Sequence, residues 1–327
     1  MKRIPLASVL GIFAVASILG SGTAAAQQFP SRPVRLVVAV PAGGSIDLVA
    51  RQVAQRLTTS LGQSFIVDNR PGGAGIIGTD AVAKSAADGY TLAMAPAAFI
   101  ASHPSTFAKL PYDPVKDFSP VINVVLQPSV LVVNPGAPFR TASELANYAK
   151  ANPGKLTYGS GGEGSPHHLS AVMFDSAIGS KMVHVPYKGG APAMADLLAA
   201  RVDLIVAPVP EALAHIRGGK LRALGVFSPR RASVLPEVAT MVEAVGNSGL
   251  VLDTWIGMLA PGGTPREVVA ALNGATQKAL AGDLRERFAE VGLDIAGGSP
   301  EQFAATIRSD TSMYARLVKE SGMAIQQ

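Results

Sequence analysis

The sequence predicts an α/β protein of two lobes, each built on a mainly parallel sheet flanked by helices. Three observations carry this. Short β-branched apolar runs alternate with amphipathic stretches, the βαβ rhythm of parallel sheets. The rhythm restarts after about residue 120. Two longer extended segments, around 121–133 and 250–260, look like crossings between lobes, so the second lobe is inserted into the first and the last helices return to lobe one. The expected division is 27–128 plus 254–327 for lobe one and 129–253 for lobe two.

In order, residues 34–40 (VRLVVAV) form a short buried strand. A helix follows whose stripe is Val49, Val53, Leu57 and Leu61, with Arg51, Gln52, Gln55 and Arg56 off it. Gly62 ends that helix. A strand over 65–68, a Gly-rich turn, a helix near 77–85 and a strand over 90–95 complete the first βαβαβ run. In the second unit, 121–133 is strand-rich and broken by Pro128, and Thr141-Ala142-Ser143-Glu144 opens a helix. Strands over 156–160, 182–186, 204–207 and 223–227 alternate with helices over 166–177, 191–200 and 211–216. Residues 255–260 are one more apolar strand, and three amphipathic helices begin near Pro265, Asp283 and Pro300.

A chain of 327 residues, 48% hydrophobic and only 16% charged, can bury real cores and is not a disordered polymer. The absence of cysteine excludes thiolate catalysis, Cys-ligated metal centres and disulfides. With 6% aromatics and one Trp, stacking platforms for sugars or single-stranded nucleic acid are disfavoured.

Lys2 and Arg3 precede an apolar run, Leu6 to Leu19, and the small residues Ala24-Ala25-Ala26. This is the pattern of a secretory signal cleaved after Ala26, too short in its apolar part for the ~20 residues that span a bilayer. The mature chain is expected to be soluble and exported. Removing residues 1–26 takes two positive charges from a net +5 and leaves +3, with the basic residues scattered. Nucleic-acid binding needs a clustered basic face, so no nucleic-acid partner is expected.

The loops carry the chemistry. Pro41-Ala42-Gly43-Gly44-Ser45-Ile46-Asp47 joins a buried strand to a helix, with Ser45 or Asp47 as the expected N-cap. Ligands of parallel sheets sit outside the carboxyl ends of strands, glycines admit close backbone approach, and free amides at a helix start attract anions. The second lobe repeats the arrangement in Ser160-Gly161-Gly162-Glu163-Gly164-Ser165-Pro166-His167-His168, with Ser165 as N-cap and Pro166 at the first helical position. Two such loops facing each other would hold a carboxylate by amides and hydroxyls, without a reactive side chain. Further junctions are Tyr187-Lys188-Gly189-Gly190, where Lys188 is a candidate for a second carboxylate, and Ala95-Pro96-Ala97-Ala98.

Other patterns carry less. Gly73, Gly75 and Gly78 match G-x-G-x-x-G but do not follow the strand directly, which indicates a structural turn. No phosphate loop, nucleophile elbow or H-E-x-x-H is present, and adjacent His167 and His168 diverge by about 100° on a helix, a poor metal pair. His168 is expected near the cleft and His167 facing away. Neither a metal nor a cofactor is expected. A Ser165, His168, Asp47 triad can be assembled on paper without support from spacing.

In order along the chain, the 41–47 loop with Arg51, Asp68-Asn69-Arg70-Pro71-Gly72, Asp88-Gly89-Tyr90-Thr91 and Tyr112-Asp113-Pro114 form a recognisable set. Tyr158-Gly159-Ser160-Gly161, Val185-Pro186-Tyr187-Lys188-Gly189 and Trp255-Ile256-Gly257-Met258-Leu259-Ala260-Pro261 complete it. The set resembles the Bug-type, TctC-like receptors, the extracytoplasmic substrate-binding proteins of tripartite tricarboxylate transporters. The resemblance implies a periplasmic binding protein fold whose lobes close by a hinge on a small organic carboxylate. It also implies delivery to membrane transporter subunits or a sensor. The expected clamp is Gly43, Gly44, Ser45, Ser160, Gly161, Gly164 and Ser165, with Asp47 capping its helix or receiving a ligand amine or hydroxyl. Ala97, Ala98, His168, Lys188 and Gly189 would shape the far end of the pocket. Ile46 stands where the family commonly has Thr. The expectation is a non-catalytic monomeric receptor. The alternatives are an exported serine hydrolase using Ser165 and His168, and an adaptor for a protein partner.

Overall fold

The structure, a computed structural model, describes residues 29–321, so the expected signal over 1–26 lies outside the described residues. β1 (Val34–Val38) pairs in parallel with β2 (Phe65–Asn69) and with β3 (Thr91–Pro96). Helix α1 (Ser45–Leu61) buries Val49, Val53 and Leu57, the expected stripe, against this sheet. Gly62 ends it at φ 70°, a left-handed conformation that glycine adopts without steric penalty. Helix α2 (Ile76–Ala83) leads back to β3. The G-x-G-x-x-G match serves packing there: a Cβ on Gly78 would lie 2.6 Å from the Arg70 carbonyl and 2.7 Å from the Ala39 Cβ.

After β3 the chain forms a wide π-type turn, Ala98–Ser102, and helix α3 (His103–Thr106), neither expected from the sequence. Strand β4 (Phe118–Val133) then runs sixteen residues without the break expected at Pro128. Pro128 is the last residue of β4 on the ladder to β9 (Asp253–Pro261), and Ser129 is the first on the ladder to β7 (Leu204–Pro208). Proline lacks an N–H, and it stands where the strand changes partners.

The second unit follows the expected alternation: α4 (Ala142–Ala151), β5 (Thr157–Ser160), α5 (Pro166–Ile178), β6 (Val183–Pro186), α6 (Gly190–Leu198), β7, α7 (Val209–Arg217) and β8 (Arg222–Val226). Thr141 caps α4, accepting from the Glu144 amide at 3.1 Å. A short helix, α8 (Met241–Val245), closed by a Thr240–Glu243 capping box, precedes β9 and was not expected. Helices α9 (Arg266–Ala281), α10 (Leu284–Glu290) and α11 (Pro300–Ser321) are the three expected C-terminal helices. The short strand β10 (Asp294–Gly297), antiparallel to β4, is new.

The sheet order is β2-β1-β3-β9-β4-β7-β5-β6, with β8 and β10 also on β4. Within β1–β3 and within β5–β7 the pairings are parallel, as expected. The two crossing strands make the whole sheet mixed: β4 and β9 are antiparallel to each other because the chain leaves along one and returns along the other.

One core packs β1, β3 and β9 against α1 and α9, and another packs β4 and β7 against α6 and α7. A third runs under both halves, from Val37 and Ala93 through Trp255 to Leu131 and Phe174. Helix α11 touches β4, the 98–106 segment and α5, so it binds both halves instead of lobe one alone. The single tryptophan anchors it: Trp255 on β9 is fully buried, donates from Nε1 to Asp310 Oδ2 at 2.7 Å, and meets the Phe303 ring edge-on at 4.8 Å.

A Cβ on Gly257 would overlap that Phe303 ring, which is itself 1% exposed. Gly257→Ala is expected to lower stability by ~1–3 kcal/mol, the usual range for overpacking. A urea titration checks this: the midpoint falls with unchanged slope, whereas a wild-type midpoint would mean that the ring turns aside freely.

Candidate functional site

Strand register places the site. Pro96, the last residue of β3, is aligned through Ile256 with Val125 of β4, and β3 runs in the same direction as β4. Pro208, the last residue of β7, is aligned with Ser129, and β7 runs in the opposite direction. The carboxyl ends of β1–β3 therefore face those of β5–β7 across Leu126–Pro128. At ~3.3 Å per residue the step from Val125 to Ser129 is ~13 Å. The junctions after β1, β3, β5 and β6, with the strand ends and helix starts that flank them, hold every expected site residue and emerge at these ends.

On the first side Gly43 (φ 97°) and Gly44 are exposed, and Gly44 is the N-cap of α1 with no side-chain cap. The expected capping by Ser45 or Asp47 is thus corrected: both lie inside the first turn, because the glycine already supplies the extended conformation an N-cap needs. Asp47, 4% exposed, turns back on its own loop. Its Oδ2 accepts from the Gly43 amide at 3.0 Å and Arg51 Nε at 2.9 Å, and its Oδ1 from Asn69 Nδ2 at 2.9 Å. Burial pushes its pKa up, but the bonds from Arg51, Gly43 and Asn69 outweigh it and hold the carboxyl below its ordinary value. With both oxygens engaged, Asp47 shapes the loop. Ala97 and Ala98 follow β3 as expected but are 1% and 3% exposed, part of the core that runs under both halves.

Ser45 is 9% exposed, and its Oγ accepts from Gln127 Nε2 at 2.5 Å. Gln127, 3% exposed on β4, was missed in the sequence; the available signal was an amide, one of two with Asn123, in a largely apolar crossing strand.

On the second side Ser165 caps α5, accepting from the His168 amide at 3.4 Å, with Pro166 at the first helical position, as expected. Ser160 is fully buried; its Oγ meets His184 Nε2 at 2.6 Å and accepts from the Gly162 amide at 3.1 Å. His168 Nδ1 accepts from the Gly164 amide at 3.0 Å, which shapes the loop. The His168 and His184 rings stack at 4.0 Å and 5°, with Tyr158 beyond His184 at 4.9 Å. Sequence reasoning gave His184 no role; its contact with Ser160 needs the parallel pairing of β5 and β6.

The 187–190 loop lies against the 160–162 loop, since a Cβ on Gly161 would stand 3.2 Å from both the Gly189 carbonyl carbon and the Gly190 nitrogen. Lys188 is exposed and has no ion-pair partner among the described residues. His167 Nε2 meets Glu211 Oε2 at 3.0 Å, and both pack against Gly190 of the 187–190 loop, where a Cβ would lie 2.9 Å from the His167 ring.

A triad of Ser165, His168 and Asp47 does not form. Ser165 Oγ bonds the His168 amide, His168 Nδ1 is held by Gly164, and Asp47 is engaged with Gly43, Arg51 and Asn69. Burial, then the charge of His184, pushes His168 down to about 3, too acidic for a base at neutral pH. Burial also lowers His184, against an opposing pull from Glu163. The Ser160–His184 pair has hydrogen-bond geometry, but Ser160 is inaccessible. No group of three metal-ligating side chains occurs among the described residues, and no described helix is long and apolar enough to cross a membrane. A hollow of about 370 Å³ lined by Phe107, Leu110, Tyr112, Val115 and Thr311 contains none of these loops.

In the unfolded chain His168 titrates near 6.5, and in the folded one only near about 3. Fully buried His103 behaves alike, pushed down to about 3 by burial. Between those values the unfolded chain holds more protons, so stability is full above ~6.5 and declines as the pH falls toward ~3. Thermal unfolding across that range is expected to show this decline, and His168→Asn, which keeps an acceptor for Gly164 but no titrating ring, is expected to flatten it. An unchanged slope would show that His168 takes no part.

A model of the tripartite tricarboxylate transporter family receptor matches residues 49–323. Among solved structures, Rpa4515 of R. palustris with adipate is 35% identical with TM-score 0.85, over 90% of this chain and 99% of that one. The periplasmic binding protein BugD is 35% identical with TM-score 0.82, over 91% and 100%. MatC (Rpa3494) from Rhodopseudomonas palustris with bound malate is 31% identical with TM-score 0.82, over 89% and 100%.

Proposed function

The chain belongs to the tripartite tricarboxylate transporter receptor family, and from that premise we propose that it captures a small organic carboxylate between the facing strand ends and passes it to a membrane transporter or a sensor. The family consists of solute-binding receptors, not enzymes. The observation that carries the proposal is that two helices, α1 behind the uncapped Gly44 and α5 behind Ser165, each start at the carboxyl end of a strand, in two sets of strands that run toward the same stretch of β4. Each helix start carries roughly +0.5 of a charge, so the two together match about one carboxylate. The amides of Gly44 and Gly161 and the hydroxyls of Ser45 and Ser165 form the clamp, while Ser160, Asp47 and His168 hold its loops in shape, Asp47 and His168 through the Gly43 and Gly164 amides. Lys188 and Gly189 stand at the far side.

The two lobes are taken as 27–128 with 254–327, and 129–253, which agrees with the change of partners on β4 between Pro128 and Ser129. Hinge motion at β4 and β9 would close them. Export with cleavage after Ala26 puts the mature receptor in the periplasm, in keeping with the solved relative named a periplasmic binding protein. Adipate and malate in two relatives support a carboxylate as the ligand class.

Thermal unfolding of residues 27–327 with adipate, malate, other organic acids and matched uncharged diols tests this. A ligand at 100 times its Kd adds about 2.7 kcal/mol, a rise of several degrees for a protein of this size. A rise confined to carboxylates is the expected outcome. No rise with any acid, after unfolding and refolding to strip bound ligand, would overturn the reading.

A further inference from the structure

Gln127 stands at the centre of the facing strand ends, two steps from Val125, where the β3 ladder ends, and two from Ser129, where the β7 ladder begins. Burying a primary amide at 3% exposure is unfavourable unless it is hydrogen-bonded. Its Nε2 reaches Ser45, distant in sequence, at 2.5 Å, and its main-chain carbonyl accepts from Thr254 Oγ1 on β9 at 2.8 Å. Gln127 therefore ties both crossing strands to the first turn of α1.

The direction of the bond to Ser45 has a chemical consequence. An amide N–H can only donate, so Ser45 Oγ accepts, and the single hydroxyl proton is left for another acceptor. Among the described residues the Ser45 hydroxyl donates to nothing. It lies in the same first turn as the amides behind Gly44. A hydroxyl that already accepts one bond is polarised and donates a second more strongly.

We infer that Gln127 is a positioning residue for ligand capture: it sets Ser45 Oγ as a donor to the bound carboxylate. This rests on the carboxylate-receptor reading above. Ser45 touches the ligand, and Gln127 acts through Ser45.

A double-mutant cycle read by titration calorimetry with adipate and with malate tests the inference. Ser45→Ala and Gln127→Met are each expected to weaken binding roughly tenfold, the scale of one hydrogen bond. The double variant is expected to be no weaker than Ser45→Ala, because Gln127 has nothing left to orient. Gln127→Glu, which accepts but cannot donate, turns the Ser45 proton toward itself and is expected to weaken binding more than Gln127→Met. Should Gln127→Met fold poorly by its unliganded unfolding midpoint, Gln127→Asn replaces it in the cycle; it keeps a buried amide one carbon too short to reach Ser45. Losses that multiply in the double variant, or an unchanged Kd in Gln127→Met, would overturn the role of Gln127 while leaving the receptor reading intact. If the wild-type chain binds no carboxylate at all, both fall together.

Discussion

One strand is shared by everything else. Sixteen residues of β4 carry ladders to β9 and β10 in their first part and to β7 and β8 in their last. A strand has one direction, so neighbours on both halves inherit theirs from it. β3 runs with β4 and β7 against it, and the parallel companions of each follow suit. The meeting of carboxyl ends in the middle is thus a consequence of register. The partner switch at Pro128 marks where β4 passes from one half to the other.

Most buried titratable groups at the meeting point are either answered by a partner or kept neutral. Asp47 is ionised but answered by Arg51, and its second oxygen is held by Asn69. Both stacked imidazoles are kept neutral by burial, and the His168 bond from Gly164 requires an unprotonated Nδ1. What remains to attract an anion is helix starts, main-chain amides, hydroxyls and the exposed Lys188. A helix start offers its field only within its first turn, so these dipoles act on an anion by position.

Most of the fold was legible in the sequence because its elements follow local rules. The α1 stripe, the Gly62 stop, the Thr141 and Ser165 caps and the three C-terminal helices appeared where spacing and capping residues predicted them. The misses share a physical cause. β10 is four residues long and exists only because β4 offers an edge, and the 98–106 turn is held by the surrounding core. Pro128 looked like a break because the change of strand partners around it is invisible in one dimension.

The sequence by itself determined the α/β alternation, the glycine-rich strand–helix junctions and the family. Each of these depends on neighbours within a few residues or on an ordered set of motifs. Only the tertiary structure decided what the polar side chains of those junctions do. Asp47 bonds Asn69 of another strand, Ser160 bonds His184, and Ser45 bonds Gln127 from the crossing strand. Hydrogen-bond partners are chosen by proximity in space and by which buried groups lack water, and neither is written in local spacing.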